Sequence, residues 1–532
     1  MSREIDQAQV IARLNSYLQW HNMPIRMNED GICNGLATVY AKYVLEGKEN
    51  RFFELLDQIV KIEPDSAMES EINQFVYDVV LTLFPHQFDK TLSQANSIRA
   101  LTINNQQLTS SFDFALTTSD KNWMEIFKNL ALQEDEVLRV NGTAHAVAVR
   151  RKGNKYVVYD PNYSSGTKEF VNERELISEL HYNVLGYHNG FYLKGGALGM
   201  MISVIRHPDN KKPRVFPKIT ELYDRYLTKD NINKVAVSFH GGKFSTLEQA
   251  VTIHDAAIIK HLLEKGAKDK DDKALGYAVM FNNTEALRAL LGKNRDTGIF
   301  QRLFHAALEN GREKAYDTLL SLKGALPFNS STQVIQAAAK GGNPTLLAKV
   351  INYFRRNHSG FSDLEDALPP AISSGSVQCV KLIVEQLNQS NHPLDVEKSM
   401  KYLLESIKQN QPYMVAYFIK NIPPEYLKTL YMSASSVERT DLYTLRQLQD
   451  HGVPFSVTAK AIIDQKKHLP VGLRLSAGIL LCKFTDFCKE VLCNDNGIHY
   501  NLPKDKMGKG LFFSSQEKVD GVSKKPQSPK MS

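Results

Sequence analysis

A small residue recurs along the second half of this chain at a spacing that one compact core does not use. It stands at Ala250, Ala278, Ala306, Ala337, Ala371 and Ser406, at intervals of 28, 28, 31, 34 and 35 residues. About a dozen residues after each comes an apolar pair: Leu262-Leu263, Leu290-Leu291, Leu319-Leu320, Val350-Ile351, Leu382-Ile383 and Phe418-Ile419. Each unit reads as a short inner helix, a polar turn and a longer outer helix. A unit of this kind cannot bury its own apolar face, so each must stack on the next. Residues 245–453 are thereby expected to form an α-helical solenoid, distinct from whatever precedes them.

The first unit carries the most detail. It begins Ser245-Thr246-Leu247-Glu248-Gln249-Ala250 and ends Ile258-Ile259-Lys260-His261-Leu262-Leu263-Glu264-Lys265-Gly266-Ala267. The third has Leu303-Phe304-His305-Ala306-Ala307 and closes on Lys323-Gly324-Ala325. These stretches resemble ankyrin repeats, with their T-P-L-H-x-A opening and leucine-rich, Gly-Ala end. The later units lack the Thr-Pro start, and a seventh centres on Leu445 to Gly452. An irregular helical array of another class is the alternative. His261 and His305 fit repeat positions and need no ligand.

Residues 1–205 have a different texture. Helical periodicity runs through 5–20, 33–46, 52–62 and 71–83. From Ala144 the pattern changes to short β-rich runs at 144–150, 155–160, 190–193 and 200–205. Arg151-Lys152-Gly153-Asn154 is a hairpin turn signal between the first two. Helices first and an antiparallel sheet afterwards predict an α+β domain. Residues 206–244, with Pro208, Pro213, Pro217 and a helix-like stretch over 219–227, read as a linker. Residues 454–500 read as a helical C-terminal region and 501–532 as a flexible tail.

Composition narrows the function classes. The 532 residues are 42% hydrophobic and 23% charged, an ordinary globular balance. A net charge of +7 is small for this length and gives no reason to expect nucleic acid or membrane as the main partner. Cys33, Cys379, Cys482, Cys488 and Cys493 are odd in number and sparse, which favours a reducing compartment over a disulfide framework. Residues 1–9 lack the apolar segment of a Sec signal, and the most apolar run, 197–205, is too short to span a bilayer. That leaves a cytosolic protein or one exported by another route.

The chemistry-bearing residues lie in the first 160 positions. Cys33, in Gly31-Ile32-Cys33-Asn34-Gly35-Leu36, opens an apolar helix, where the helix dipole lowers a thiol pKa. His145 opens the run Ala146-Val147-Ala148-Val149, and Asp160 closes Tyr156-Val157-Val158-Tyr159. A turn near Lys152 to Asn154 brings residues 145 and 160 to one end of a hairpin, so a carboxylate can fix the imidazole that faces the thiol. Asn28 stands five residues before Cys33. Taken singly, each has a plainer reading: a buried thiol, a strand histidine, an Asp-Pro-Asn turn and a loop amide. Cys482, Cys488, Cys493 and His499 are spaced too widely for a typical zinc site. Gly195-Gly196 and Gly241-Gly242 lack a phosphate-loop context. No cofactor is called for.

Gly31 to Leu36, Ala144 to Val149 and Tyr159-Asp160-Pro161-Asn162-Tyr163 resemble the three motifs of the YopT-like papain-fold cysteine peptidases, bacterial effectors that act inside host cells. The resemblance implies an α+β papain-like protease domain with Cys33 as nucleophile, His145 as general base and acid, and Asp160 as its orienting acid. Because papain-like enzymes place a Gln or Asn several residues before the cysteine, it also implies Asn28 as oxyanion donor together with the Cys33 N–H. Where that family often has an aromatic deeper in the cysteine helix, this chain has Val39-Tyr40. Joined to ankyrin-like repeats and a helical C-terminal region, the layout resembles the ankyrin-repeat effectors of Legionella. This implies type IV secretion and action on a host protein, bound by the repeats, in the host cytoplasm or nucleus. Two function classes follow: a thiol hydrolase (protein cleavage first, deamidation or acyl transfer by the same constellation), or a non-catalytic scaffold in which repeats and a protease-like pocket bind a host protein.

Overall fold

A computed structural model describes residues 7–468, apart from 21–26, 28–30, 63–69, 86–91, 93, 189–195, 240, 254, 293–295, 329, 358–363 and single or short positions between 410 and 441. The chain is mixed α+β, with a six-stranded sheet in its N-terminal part and helices after it. The opening helices are α1 (Gln7–Trp20), α2 (Cys33–Leu45), α3 (Glu49–Lys61) and α4 (Ser70–Leu83). They match the expected periodic stretches to within a few residues.

A small ribbon, β1 (Thr102–Ile103) and β2 (Gln106–Gln107), precedes the main strands. Those are β3 (Ser110–Thr118), β4 (Glu136–Asn141), β5 (Ala146–Lys152), β6 (Lys155–Tyr159), β7 (Thr167–Phe170) and, after a short β8 (Tyr187–His188), β9 (Leu198–Arg206). Helix α5 (Asp120–Leu130) lies between β3 and β4, and α6 (Glu173–Glu179) follows β7. The sheet order is β3-β9-β4-β5-β6-β7, antiparallel throughout. The main sheet therefore begins at Ser110, well before Ala144. The run expected at 190–193 lies outside the described residues.

Alternation along the strands sorts side chains into two cores, as the two-residue period of a strand requires. Val137, Ala148, Tyr159 and Ile205 face helices α1 to α4. Leu138, Val140, Val147, Val149 and Val158 face the opposite side. Helix α2 is buried along nearly its whole length, from Asn34 to Ala41 and at Tyr43. Its Gly35 permits this: a Cβ there would stand 2.9 Å from the Leu83 side chain of α4. Between β5 and β6, Gly153 at φ +58° takes the first position of a two-residue turn.

Residues 206–244, expected to be a linker, are folded against the sheet. Helix α7 (Ile219–Tyr226) occupies all but the last residue of the expected 219–227 stretch; its Tyr223 hydroxyl donates to the Ala115 carbonyl at 2.9 Å, and its ring packs on Phe114. Then β10 (Val235–Ser238) and β11 (Lys243–Ser245) form a hairpin that pairs with β8. The stretch reads as a linker because its prolines break periodicity and its strands are very short, while β8, which the hairpin pairs with at Tyr187 and His188, lies far earlier in the sequence.

Helices follow in pairs from Ser245: Thr246–Ala250 with Ala256–Glu264, Lys273–Met280 with Thr284–Leu291, Thr297–Glu309 with Glu313–Lys323, Ser331–Lys340 with Pro344–Asn357, Leu368–Ser374 with Val377–Gln389, and Val396–Lys408 with Pro412–Asn421. First members pack on first members and second on second, giving two layers. Helices Leu442–Asp450 and Val457–His468 continue the array. Ala250, Ala278, Ala337, Ala371 and Ser406 are buried as expected, but in the third unit Ala307 takes the place assigned to Ala306. Of the apolar pairs, only Val350-Ile351 and Phe418-Ile419 are buried at both positions; in the second unit Leu287 and Leu291 fill the core and Leu290 is half-buried.

Polar side chains at the turn between helices bridge neighbouring units. Asn283 donates to the Val251 carbonyl at 2.8 Å, Asn343 to Gly311 at 2.9 Å and Gln411 to Ser373 at 3.3 Å. The array is joined directly to the sheet. The Thr117 N–H donates to Thr246 Oγ1 at 2.9 Å, Thr117 Oγ1 donates to the Phe244 carbonyl at 3.1 Å, and Phe244 covers Gly199, where a Cβ would come within 2.8 Å of its ring. One apolar core accordingly runs from Phe112 to Ile463 without a break. Among the described residues no helix is long and apolar enough to cross a membrane.

Candidate active site

Three local features bring Cys33, His145 and Asp160 together. Gly31 turns the chain at φ +136° just before α2, and the N-cap residue, Ile32, supplies no side-chain cap to the helix. His145 sits one residue before β5, after a tight turn in which the Gly142 N–H donates to the His145 carbonyl at 2.9 Å. Asp160 sits one residue after β6. Because β5 and β6 are hairpin partners, both groups end up at one edge, beside the start of α2.

His145 Nε2 lies 2.9 Å from Asp160 Oδ1. The same oxygen accepts the Asn162 N–H at 2.8 Å. Asp160-Pro161-Asn162 is thus a turn closed by its own carboxylate, and the turn aims that carboxylate at the imidazole. The same imidazole also acts on the Cys33 thiol, through a hydrogen bond and through its charge.

The electrostatics follow from this pairing. Burial pushes the Cys33 thiol up. The His145 hydrogen bond and charge, with the Ala146 and Asn34 backbone N–H groups, outweigh it and hold the thiol below its ordinary value of 9.0. Burial pulls the His145 imidazole down, but the bonds to Asp160 and Cys33 outweigh it and raise it to about 10. Both shifts favour a thiolate–imidazolium pair, whose two steps belong to the pair as a unit. Cys33 keeps part of its surface open, whereas Cys379, the other described cysteine, is buried.

Behind the nucleophile lies a closed polar network. The Asn34 side chain turns away from the thiol and donates to the Thr82 carbonyl at 3.1 Å and to Ser97 Oγ at 3.2 Å. Arg139 donates to Ser97 Oγ at 3.0 Å and to Asn141 Oδ1 at 2.8 Å. Burial pulls its guanidinium down to about 10, and it remains charged at neutral pH. The first turn of α2 is thereby tied to strand β4. Tyr40, deeper in α2, is fully buried and stacks on Tyr159 with ring centroids 4.4 Å apart, bracing the strand that leads into Asp160.

Asn28, the expected oxyanion donor, lies outside the described residues. Gln7, which the sequence does not single out, stands at the site. Its Oε1 accepts the Ile32 N–H at 2.9 Å and its Nε2 donates to Asn162 Oδ1 at 3.0 Å. It clamps the entry of α2 to the Asp160 loop. No spacing signal announces it, since it arrives from a separate helix.

The thiol opens into a cleft of ≈ 340 Å³. It is lined by Cys33, Gln7 and Asn162, by the turn over residues 142–145, and by residues 182–186 with Ser238 and Phe239. Among the described residues no group of three or more His, Cys, Asp or Glu is placed to hold a metal ion. Cys482, Cys488, Cys493 and His499 lie outside them. No family model, no curated protein and no solved structure matches the chain.

Proposed function

We propose that this protein is a papain-like thiol hydrolase that cleaves a protein substrate, with Cys33, His145 and Asp160 as its triad. The observation that carries the reading is the engagement of His145 by two groups, Asp160 on Nε2 at 2.9 Å and the Cys33 thiol. A structural histidine has no need of a depressed thiol, and a structural thiol has no need of a histidine oriented by a carboxylate. The order of elements supports a papain-like reading, with the thiol at a helix start and the histidine and acid at one end of an antiparallel hairpin.

The chemistry is as follows. Cys33 Sγ attacks a carbonyl carbon, and the negative charge moves to the carbonyl oxygen, beside the backbone N–H groups at the start of α2. His145 gives its proton to the leaving amine as the C–N bond breaks, leaving a thioester on Cys33. A water then loses a proton to His145 and attacks the thioester, releasing the acid and restoring the thiol pair. Asp160 holds the ring and stabilises its charged form throughout. With an amide side chain as the acceptor the same steps give deamidation.

In this proposal the paired helices from Ser245 are ankyrin-type repeats that bind a host protein and bring it to the cleft, raising its local concentration there. The period, the two layers and the bridging polar turn residues support that reading. The wider layout supports a bacterial effector delivered by type IV secretion to the host cytoplasm or nucleus. The test is Cys33→Ala in the full chain, assayed in a cell that shows an effect of the wild type. The variant is expected to lose the effect while still binding its partner. An effect that survives Cys33→Ala and disappears when the 246–421 array is disrupted would establish a scaffold instead.

A further inference from the structure

The β10–β11 hairpin is continuous at one end with the helical array and reaches the Cys33 cleft at the other. We infer that Phe239, at its turn, is the specificity wall of that cleft and selects a substrate segment bearing a bulky apolar side chain next to the bond attacked. The inference rests on the thiol-hydrolase reading and adds the substrate class.

Four observations point this way. Phe239 is 46% exposed, and of the large apolar side chains exposed among the described residues it alone lines the cleft. An aromatic ring left in water at the mouth of a reactive site has apolar area to offer a ligand. The ring is also held in place. The Phe239 N–H donates to the Gly186 carbonyl at 2.8 Å, Ser238 and Gly242 close the turn through a 2.9 Å bond, and the ring packs on His188 with centroids 4.8 Å apart. Such fixation lowers the entropy lost on binding.

Third, the part of the cleft that runs up to it is built by an irregular helix, which presents Asn183 there as well as apolar side chains. After α6 the chain makes a π turn, Leu180–Val184, and the Leu185 N–H reaches the Leu180 carbonyl at 2.9 Å. The wide turn brings Tyr182, Val184 and Leu185 to the cleft, and π turns recur at functional sites for this reason. Fourth, small residues allow the hairpin its close approach. A Cβ at Gly242 would stand 2.3 Å from Thr143 Oγ1, and one at Gly186 would stand 3.2 Å from the Phe239 ring. The hairpin therefore abuts the Gly142–His145 turn that carries the catalytic imidazole. A substrate side chain laid against Phe239 lies beside the reacting carbonyl.

The test uses the full chain and a set of peptide vinyl sulfones that differ at one position at a time, with Leu, Phe, Gly or Asp at each of the three residues nearest the electrophile. The rate of Cys33 modification is divided by the iodoacetamide rate of the same variant. At one position the wild type is expected to favour Leu or Phe over Gly or Asp by about tenfold or more, the range for one buried apolar contact. Phe239→Ser should reduce that ratio to within about twofold, Phe239→Leu should keep most of it, and Val215→Ser, an exposed site away from the cleft, should keep all of it. Thermal melting checks that each variant is folded. No apolar preference in the wild type, or a preference unchanged in Phe239→Ser, overturns the inference while leaving the triad standing. A Cys33 that iodoacetamide modifies no faster than Cys379 overturns the hydrolase reading and this inference with it.

Discussion

His145→Ala is expected to slow alkylation of Cys33 by about ten- to a hundredfold at about pH 6.5, with little change at strongly alkaline pH. The argument is one of compensation. Burial opposes the thiolate, and the largest opposing influences are the His145 hydrogen bond and charge. Without them only the Ala146 and Asn34 N–H groups remain on the favourable side, and the thiol returns to its ordinary value or above. The thiolate fraction at slightly acid pH then becomes very small. Part of the difference is offset because a low-pKa thiolate is intrinsically a weaker nucleophile. At alkaline pH both proteins carry the thiolate and the rates converge.

The sign of the wild-type pH dependence follows from the same two shifts. A thiol held below 9.0 keeps alkylation fast on the acid side of its ordinary range. An imidazole raised to about 10 stays protonated through neutral pH and loses its proton as pH rises past that value. Alkylation needs only the thiolate and does not fall there. Peptide hydrolysis needs the imidazolium as an acid and does fall. The two profiles should therefore separate on the alkaline limb, read by mass spectrometry for alkylation and by turnover for hydrolysis. An alkylation rate equal in wild type and His145→Ala at acid pH would show that the imidazole does not activate this thiol.

Leu287→Asp is expected to unfold the helical array. Leu287 is fully buried in helix Thr284–Leu291, among residues of the continuous core. Removing it forfeits about 2–5 kcal/mol of packing, and an unpaired buried carboxylate adds several more. Since no unit covers its own apolar face, the damage should spread to both neighbours. Leu290→Asp should cost far less, because Leu290 is half-buried and its carboxylate can reach water. Melting curves of the two variants read the contrast directly; equal midpoints would mean the assigned core face is wrong.

That contrast also shows what the sequence could and could not convey. Spacing located the repeating units, but a pair such as Leu290-Leu291 cannot say which member faces inward. The neighbouring Leu287, one turn earlier, settles it only once the helix bounds are known. The expected helices were close because α2, α3 and α4 are long periodic segments. Strands β3 and β4 went unread because Ser110–Thr118 mixes Asp and Thr with apolar residues, and its partner β9 lies some 80 positions away. Cys33, His145 and Asp160 could be read because each has a local signature, a helix start or a strand end. Gln7 and Phe239 could not, since both reach the cleft from elements with no motif of their own. The hairpin bearing Phe239 fell within a stretch whose prolines read as linker.

The central claim is that Cys33 stands as a thiolate beside an imidazolium before any substrate binds. The far-ultraviolet thiolate absorbance of the wild type minus that of Cys33→Ala, followed through a pH titration, measures this without a substrate or a probe. The account predicts a Cys33-dependent absorbance already present at neutral pH and declining only on acidification. An absorbance that appears only as pH rises through the ordinary thiol range would contradict it, and Cys33 would then be an unactivated thiol at the edge of a cleft.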